Sequence, residues 1–234
     1  MSATFQGRRV VVTGGTGALG SAILEALIEQ GADCHATAVA REHIAHSPWA
    51  DHPRVRWHSL DLGDEAAVEH LYREEIPEPI DASIHTVGTF TAAPLIETSL
   101  EALQRLIDTN VTTTFLCCRE AARRMIEQPE GGRIVNVAAR PALLPVPGLA
   151  AYSAAKAAVI SLTASLATEL LPKSVLVNAI VPSMFDTPAN RAAFPGEDPS
   201  TWPTAREIAE AILFLAGPSN RLTSGVSLPV YGRK

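Results

Sequence analysis

Val10-Val11-Val12-Thr13-Gly14-Gly15-Thr16-Gly17-Ala18-Leu19-Gly20 sets a run of β-branched residues directly before a glycine-rich turn, and the turn leads into a helix-forming stretch over 21–30. The order matters physically. The apolar run has the length of a buried strand, and the glycines let the chain turn sharply and approach a pyrophosphate. The first turn of the helix that follows offers unpaired N–H groups and a partial positive charge. Strand, turn and helix in this order predict a nucleotide-binding unit near the start of an α/β sheet.

The same alternation continues outward along the chain. Strand-length apolar runs over 8–13, 34–39, 54–58, 80–87, 133–138, 174–181 and 226–230 are separated by helix-length stretches over 18–30, 64–74, 99–127, 151–170 and 204–216. Parallel neighbours need such crossovers. The expected fold is therefore a Rossmann-like, doubly wound α/β sheet of about seven mostly parallel strands, with helices on both faces, in one domain over 1–234. Val159, Leu162, Leu166 and Leu170 recur at helical spacing and read as core.

The 234 residues are 47% hydrophobic and 19% charged, which excludes a disordered tail and a collagen-like fibre. Three cysteines, one alone and two adjacent, form no disulfide or metal pattern and point to a reducing compartment. The formal charge of −6 is spread along the chain, so nucleic acid is not an expected partner. The opening residues 1–7 lack a leader pattern, and no continuous run reaches the ~18 apolar residues of a membrane span. A soluble, cytoplasmic protein without a membrane partner is expected. His43 and His46 have no acidic or cysteine partner at ligand spacing, so no metal site is expected and the histidines read as surface residues.

Two proline-rich stretches, 140–148 and 183–203, each follow a strand. Ligands in open α/β sheets bind beyond the carboxyl ends of the strands, so these loops are candidate walls and a lid over a site. Within them, Arg140 either borders the pocket as a donor to a substrate oxygen or carboxylate, or faces water. Met184, Phe185, Phe194 and Trp202 suit an apolar lid. At the end of the second strand, Ala36-Thr37-Ala38-Val39-Ala40-Arg41 has no carboxylate to bind a ribose 2′-hydroxyl. Arg41 suits the extra phosphate of NADP, or else is a solvated residue at a helix start beside Glu42.

Tyr152 and Lys156 stand four residues apart in Tyr152-Ser153-Ala154-Ala155-Lys156, hence on one helix face. A neighbouring ammonium favours the phenolate, so the phenol is expected to titrate closer to neutrality and to act as a general acid or base.

Together, the turn and the Tyr-Lys pair make the chain resemble the short-chain dehydrogenase/reductase family over essentially its whole length. The resemblance implies a nicotinamide cofactor, NADP(H) in preference to NAD(H), held by Gly14, Thr16, Gly17, Ala18, Leu19, Gly20, Arg41, Asp61, Leu62, Val87, Gly88, Tyr152, Lys156, Pro182, Phe185 and Thr187. It implies Tyr152, Lys156 and Asn110 as the catalytic set: a proton donor or acceptor, a lysine that tunes it, and an asparagine that completes a proton relay. A small-molecule substrate would meet Ala139, Arg140 and Met184, and a homodimer or homotetramer would form through a four-helix contact of the helix carrying Val159 to Leu170 with Leu103 to Ala121.

The departures narrow the expectation. His85-Thr86-Val87-Gly88 replaces the family's Asn-Asn-Ala-Gly, Ser183 replaces a glycine, and Ala18 with Gly17 alters the turn. Thirteen residues before the tyrosine, Ala139 stands where the family has a serine that holds the substrate oxygen. The dihydropteridine reductase-like members also lack that serine, and Asp186-Thr187-Pro188-Ala189-Asn190-Arg191 resembles their lid. The expected activity is hydride transfer between NADP(H) and a small carbonyl-type or conjugated cyclic, pterin-like substrate. The alternatives are a ketone or acyl-thioester reductase with a substitute for the serine, and an NADP-binding regulatory protein that has lost catalysis.

Overall fold

A computed structural model describes residues 4–76 and 79–232; the remainder of the expected domain 1–234, including the first three residues of the 1–7 segment, lies outside the described residues. Seven strands form one sheet: β1 (Arg9–Thr13), β2 (Asp33–Ala38), β3 (Val55–Ser59), β4 (Ala82–His85), β5 (Gly132–Val137), β6 (Val175–Pro182) and β7 (Ser227–Val230). Their order is β3-β2-β1-β4-β5-β6-β7, and every neighbouring pair is parallel. The order reverses between β1 and β4, so a crevice opens above their carboxyl ends, where ligands bind in such sheets.

The inner strands are legible because they are buried on both faces. Val10 and Val12 point into one core with Ile23 and Leu27 of α1 (Ala18–Glu29) and Ile212 of a later helix, while Val11 points into the other with Ile134, Val177 and Leu116. All eight residues of β6 are buried, as expected for a central parallel strand. The other helices are α2 (Arg41–Ala45), α3 (Glu65–His70), α4 (Leu100–Ile107), α5 (Thr113–Met125), α6 (Ala150–Leu170), α7 (Pro188–Ala193) and α8 (Ala205–Ala216). Side chains cap several of them: Asp64 accepts from Ala66 and Ala67, and Thr204 forms a reciprocal capping box with Glu207.

Three expectations are corrected here. The helix expected over 99–127 is broken by a π-helical turn, Asp108–Thr112, between α4 and α5. β-Branched residues Thr109, Val111, Thr112 and Thr113 weaken the regular helix there, and π turns often mark functional positions. Residues 150–173 have the length and mean hydropathy of a membrane span, contrary to the sequence expectation. They pack Ala155, Val159, Thr163 and Ala167 inward and lie against β6, and they carry a buried lysine. Finally, His35, His58 and His85 are buried rather than on the surface.

Candidate active site

The glycine turn is fixed by β2. Gly14 N–H donates to Thr37 Oγ1 at 3.1 Å and Gly15 N–H to Thr37 O at 2.9 Å. Gly14 has φ +69°, a left-handed conformation that glycine adopts without strain. A Cβ on Gly20 would lie 2.1 Å from Gly14 O, so only glycine lets α1 start this close to the turn. Gly17 at the N-cap supplies no side-chain cap, which leaves the first N–H groups of α1, around Ala18 and Leu19, to meet an anion. That arrangement, with Thr16 at its edge, fits a dinucleotide pyrophosphate. Arg41, the first residue of α2, is exposed and has no ion pair among the described residues. Asp61 is exposed, with Oδ1 accepting from Gly63 N–H at 2.8 Å, and Leu62 is buried beside it.

At the exit of β4, Thr86 Oγ1 donates to Thr13 O at 2.6 Å and tethers the Val87-Gly88 segment to β1. Gly88 is the meeting point of the site: a Cβ there would lie 2.6 Å from Asn110 Oδ1 and 3.0 Å from Lys156 Nζ. Asn110 is fully buried in the π turn. Its Nδ2 donates to Leu106 O and Thr89 O, and its Oδ1 accepts from Thr89 N–H. Its carbonyl accepts from Thr114 Oγ1 at 2.8 Å.

Tyr152 and Lys156 do lie on one face of α6, but their electrostatics differ from the expectation. Lys156 is buried, and Nζ donates to Val137 O at 3.0 Å; the loss of water pulls its pKa down to about 8. The Tyr152 phenol is pushed up to about 12, also by burial. The physical reason is desolvation of both groups. The lysine is turned to a backbone carbonyl and does not draw the phenol towards neutrality.

Phe90, which the sequence reading passed over, meets the Tyr152 ring edge-on with centroids 5.0 Å apart. An aromatic residue alone in the otherwise small and polar Gly88-Thr89-Phe90-Thr91 loop was the available signal.

At the exit of β5, Ala139 is buried and opens the short turn Arg140–Ala142. The Arg140 guanidinium lies over the Tyr231 ring, 5.4 Å from its centroid. The 183–203 segment holds Thr187, whose Oγ1 caps α7 through Asn190 N–H, and Phe185, whose carbonyl accepts from Asn190 Nδ2. Pro182 ends β6, and Met184 is half-buried behind it.

A buried polar chain runs beneath the site. Thr163 O–H donates to Val159 O, so its oxygen accepts from Asn136 Nδ2, and Asn136 Oδ1 accepts from His85 Nδ1 at 2.9 Å. His85 Nε2 then accepts from Ser83, whose oxygen accepts from Tyr72. These directions hold for the neutral imidazole, the form that burial favours by pulling His85 down to about 4.

The short chain dehydrogenase family profile matches residues 8–198. The uncharacterized oxidoreductase YohF of Escherichia coli K12 is 31% identical over 82% of this chain and 78% of that protein. Carbonyl reductase [NADPH] 2 of Sus scrofa is 29% identical over 97% of this chain and 96% of its own length. Among solved structures, a short chain dehydrogenase/reductase family protein superposes with TM-score 0.89 at 29% identity, covering 98% of this chain and 97% of that one. The structure titled ElxO with NADP bound shares the fold, with TM-score 0.90 at 23% identity over 97% of this chain and 98% of its own. The chain belongs to the short-chain dehydrogenase family of NAD(P)-dependent oxidoreductases.

Proposed function

We propose that this protein is an NADP(H)-dependent reductase of a small conjugated, carbonyl-type or pterin-like acceptor, with Tyr152 as proton donor. The observation that carries the substrate choice is Ala139, a buried methyl at the exit of β5 where the family places a serine hydroxyl. One lost donor at a developing oxyanion costs about 10²–10³ in rate. An acceptor that spreads the incoming charge over a conjugated system has less need of it, as in the dihydropteridine reductase-like members.

The site residues divide the work. The N–H groups at the start of α1 take the pyrophosphate, Arg41 the 2′-phosphate, and Asp61 with Leu62 the adenine. Val87, Gly88, Pro182, Phe185 and Thr187 border the nicotinamide end. When bound, the cofactor supplies a hydride to the acceptor. Burial keeps Tyr152 protonated at neutral pH, so it acts as an acid. Lys156, buried beside Gly88 with its ammonium on Val137 O, binds the ribose. Asn110 holds the Thr89 loop through its amide, and its main-chain carbonyl, which accepts from Thr114 Oγ1, offers its second lone pair to the proton relay.

A second reading, a ketone or acyl-thioester reductase with a substitute for the serine, draws on relatives named carbonyl reductase and, in Acinetobacter, acetoacetyl-CoA reductase, 30% identical. NADPH oxidation measured with quinonoid dihydropterin beside ketones, aldehydes and acetoacetyl-CoA separates the two. Turnover of the pterin supports the first reading. Turnover of simple ketones at ordinary rates with no pterin activity contradicts it, and tight NADPH binding with no turnover at all returns the protein to a binding role.

A further inference from the structure

Three loops surround the cleft beyond β4, β5 and β6, over 86–99, 139–148 and 183–203, and together they contain two cations, Arg140 and Arg191. Arg191 is neutralised by Asp186 at 2.6 Å. Arg140 has no carboxylate partner among the described residues, whereas Arg8, Arg54, Arg105, Arg119 and Arg206 each meet one.

Its place is set by topology. Arg140 follows β5, and Tyr231 follows β7, whose Val230 pairs with Pro182 at the end of β6. With β6 between β5 and β7, a guanidinium that reaches the Tyr231 ring crosses the end of β6, where the 183–203 segment begins, and it stays exposed there. Ser183 Oγ donates to the main-chain carbonyl of Tyr231 at 3.0 Å and ties that stretch of backbone to the end of β6. The stacked guanidinium keeps its N–H edge for a ligand, because an aromatic face satisfies charge but not the donors.

The loops over 86–99 and 139–148 carry exposed apolar side chains. Phe90 lies against Tyr152, and Leu143 and Leu144 follow Arg140 on a turn closed by their N–H groups on Arg140 O, at 3.0 and 2.9 Å. All three are exposed, as apolar side chains that await a ligand would be.

We infer that the acceptor is an apolar, ring-bearing oxo acid whose carboxylate is held by Arg140 while its conjugated carbonyl faces Tyr152. The inference rests on the proposed role of Tyr152 and names the substrate class of that site. A planar guanidinium matches a carboxylate through two parallel N–H bonds. Anchoring the carboxylate orients the carbonyl without the missing hydroxyl. In the reaction the carbonyl carbon gains a hydride and its oxygen gains the Tyr152 proton. The C=O π bond becomes C–H and O–H bonds, and one oxidised nicotinamide forms for each alcohol.

The test uses the full chain with NADPH and two probes, benzoylformate and its methyl ester. The ratio of their kcat/KM values, compared between wild type and Arg140→Gln, cancels their intrinsic difference in reactivity. The substitution is expected to lower that ratio about 10–100-fold, mainly through KM, the worth of a charged hydrogen-bonded contact. Arg140→Lys should recover part of it. An unchanged ratio overturns the inference. Binding supplies a readout without turnover: calorimetric titration of 4-phenylbutyrate into the NADP⁺-saturated protein should weaken about 10–100-fold in Arg140→Gln, and equal binding overturns the carboxylate site. Full activity in Tyr152→Phe would instead refute the assignment of the phenol and leave the Arg140 comparison to stand or fall separately.

Discussion

Lys156 Nζ donates to Val137 O at 3.0 Å, and this one carbonyl does not replace the water that the buried ammonium has lost, so its pKa falls from 10.5 to about 8. Between those values the unfolded chain keeps a proton that the folded chain has released. Stability therefore rises as pH climbs from about 8 to 10.5 and is lost again as pH falls through 8, with a ceiling of about 3 kcal/mol. Urea unfolding near pH 7.5 and near pH 9.5 should show this gain in wild type and not in Lys156→Met. Parallel behaviour of the two proteins would contradict it.

His85 gives the opposite end of the pH scale. Its folded pKa of about 4 lies below the ordinary 6.5, so the neutral form stabilises the fold above 6.5 and that contribution drains away as pH falls towards 4. Protonation would put an N–H on Nε2 and reverse the bonds from Ser83 and Tyr72. His85→Gln should be less stable than wild type at pH 7, with the gap shrinking by up to about 3 kcal/mol on acidification. A gap independent of pH would mean that His85 is not buried in the neutral form.

Gly20 and Gly17 should respond differently to one added methyl group. At Gly20 it would strike backbone atoms of Gly14 and Gly15 at 2.1–2.9 Å, whereas at Gly17 its nearest contact is Gly14 O at 3.3 Å. Gly20→Ala is expected to cost about 1–3 kcal/mol of stability and to weaken NADPH binding, because the turn must open. Gly17→Ala should melt close to wild type. Thermal unfolding with and without NADPH compares them, and similar losses in both would show that the tight approach of α1 is not what the turn requires.

Ala139→Ser restores a hydroxyl at the exit of β5. If this position is where the family holds a substrate oxygen, the variant should reduce simple ketones about 10²–10³-fold faster than wild type. A rate unchanged for every ketone would remove Ala139 from the substrate contact.

The strands were legible because each central one is buried on both faces and bounded by turn residues; Val10 to Val12 is a continuous apolar run, and β6 is apolar but for Asn178. The turn was legible because Gly14 and Gly20 answer local steric demands. What stayed hidden depends on distant partners. The π turn at Asn110 is held by bonds to Thr89, twenty-one residues away. The burial of His85 follows from Ser83, Asn136 and Cys118 closing around it. The phenol's upward shift follows from desolvation, and the lysine bonds to Val137 O; helical spacing reports neither.

The proton-donor role of Tyr152 is tested most directly by a single-turnover measurement of hydride transfer in wild type and Tyr152→Phe, each preloaded with NADPH. Phenylalanine keeps the ring contact with Phe90 and removes only the hydroxyl. NADPH affinity should stay close to wild type while the transfer rate falls about 10²–10⁴-fold, the worth of a positioned general acid. A transfer rate equal to wild type would show that the phenol does not carry the proton.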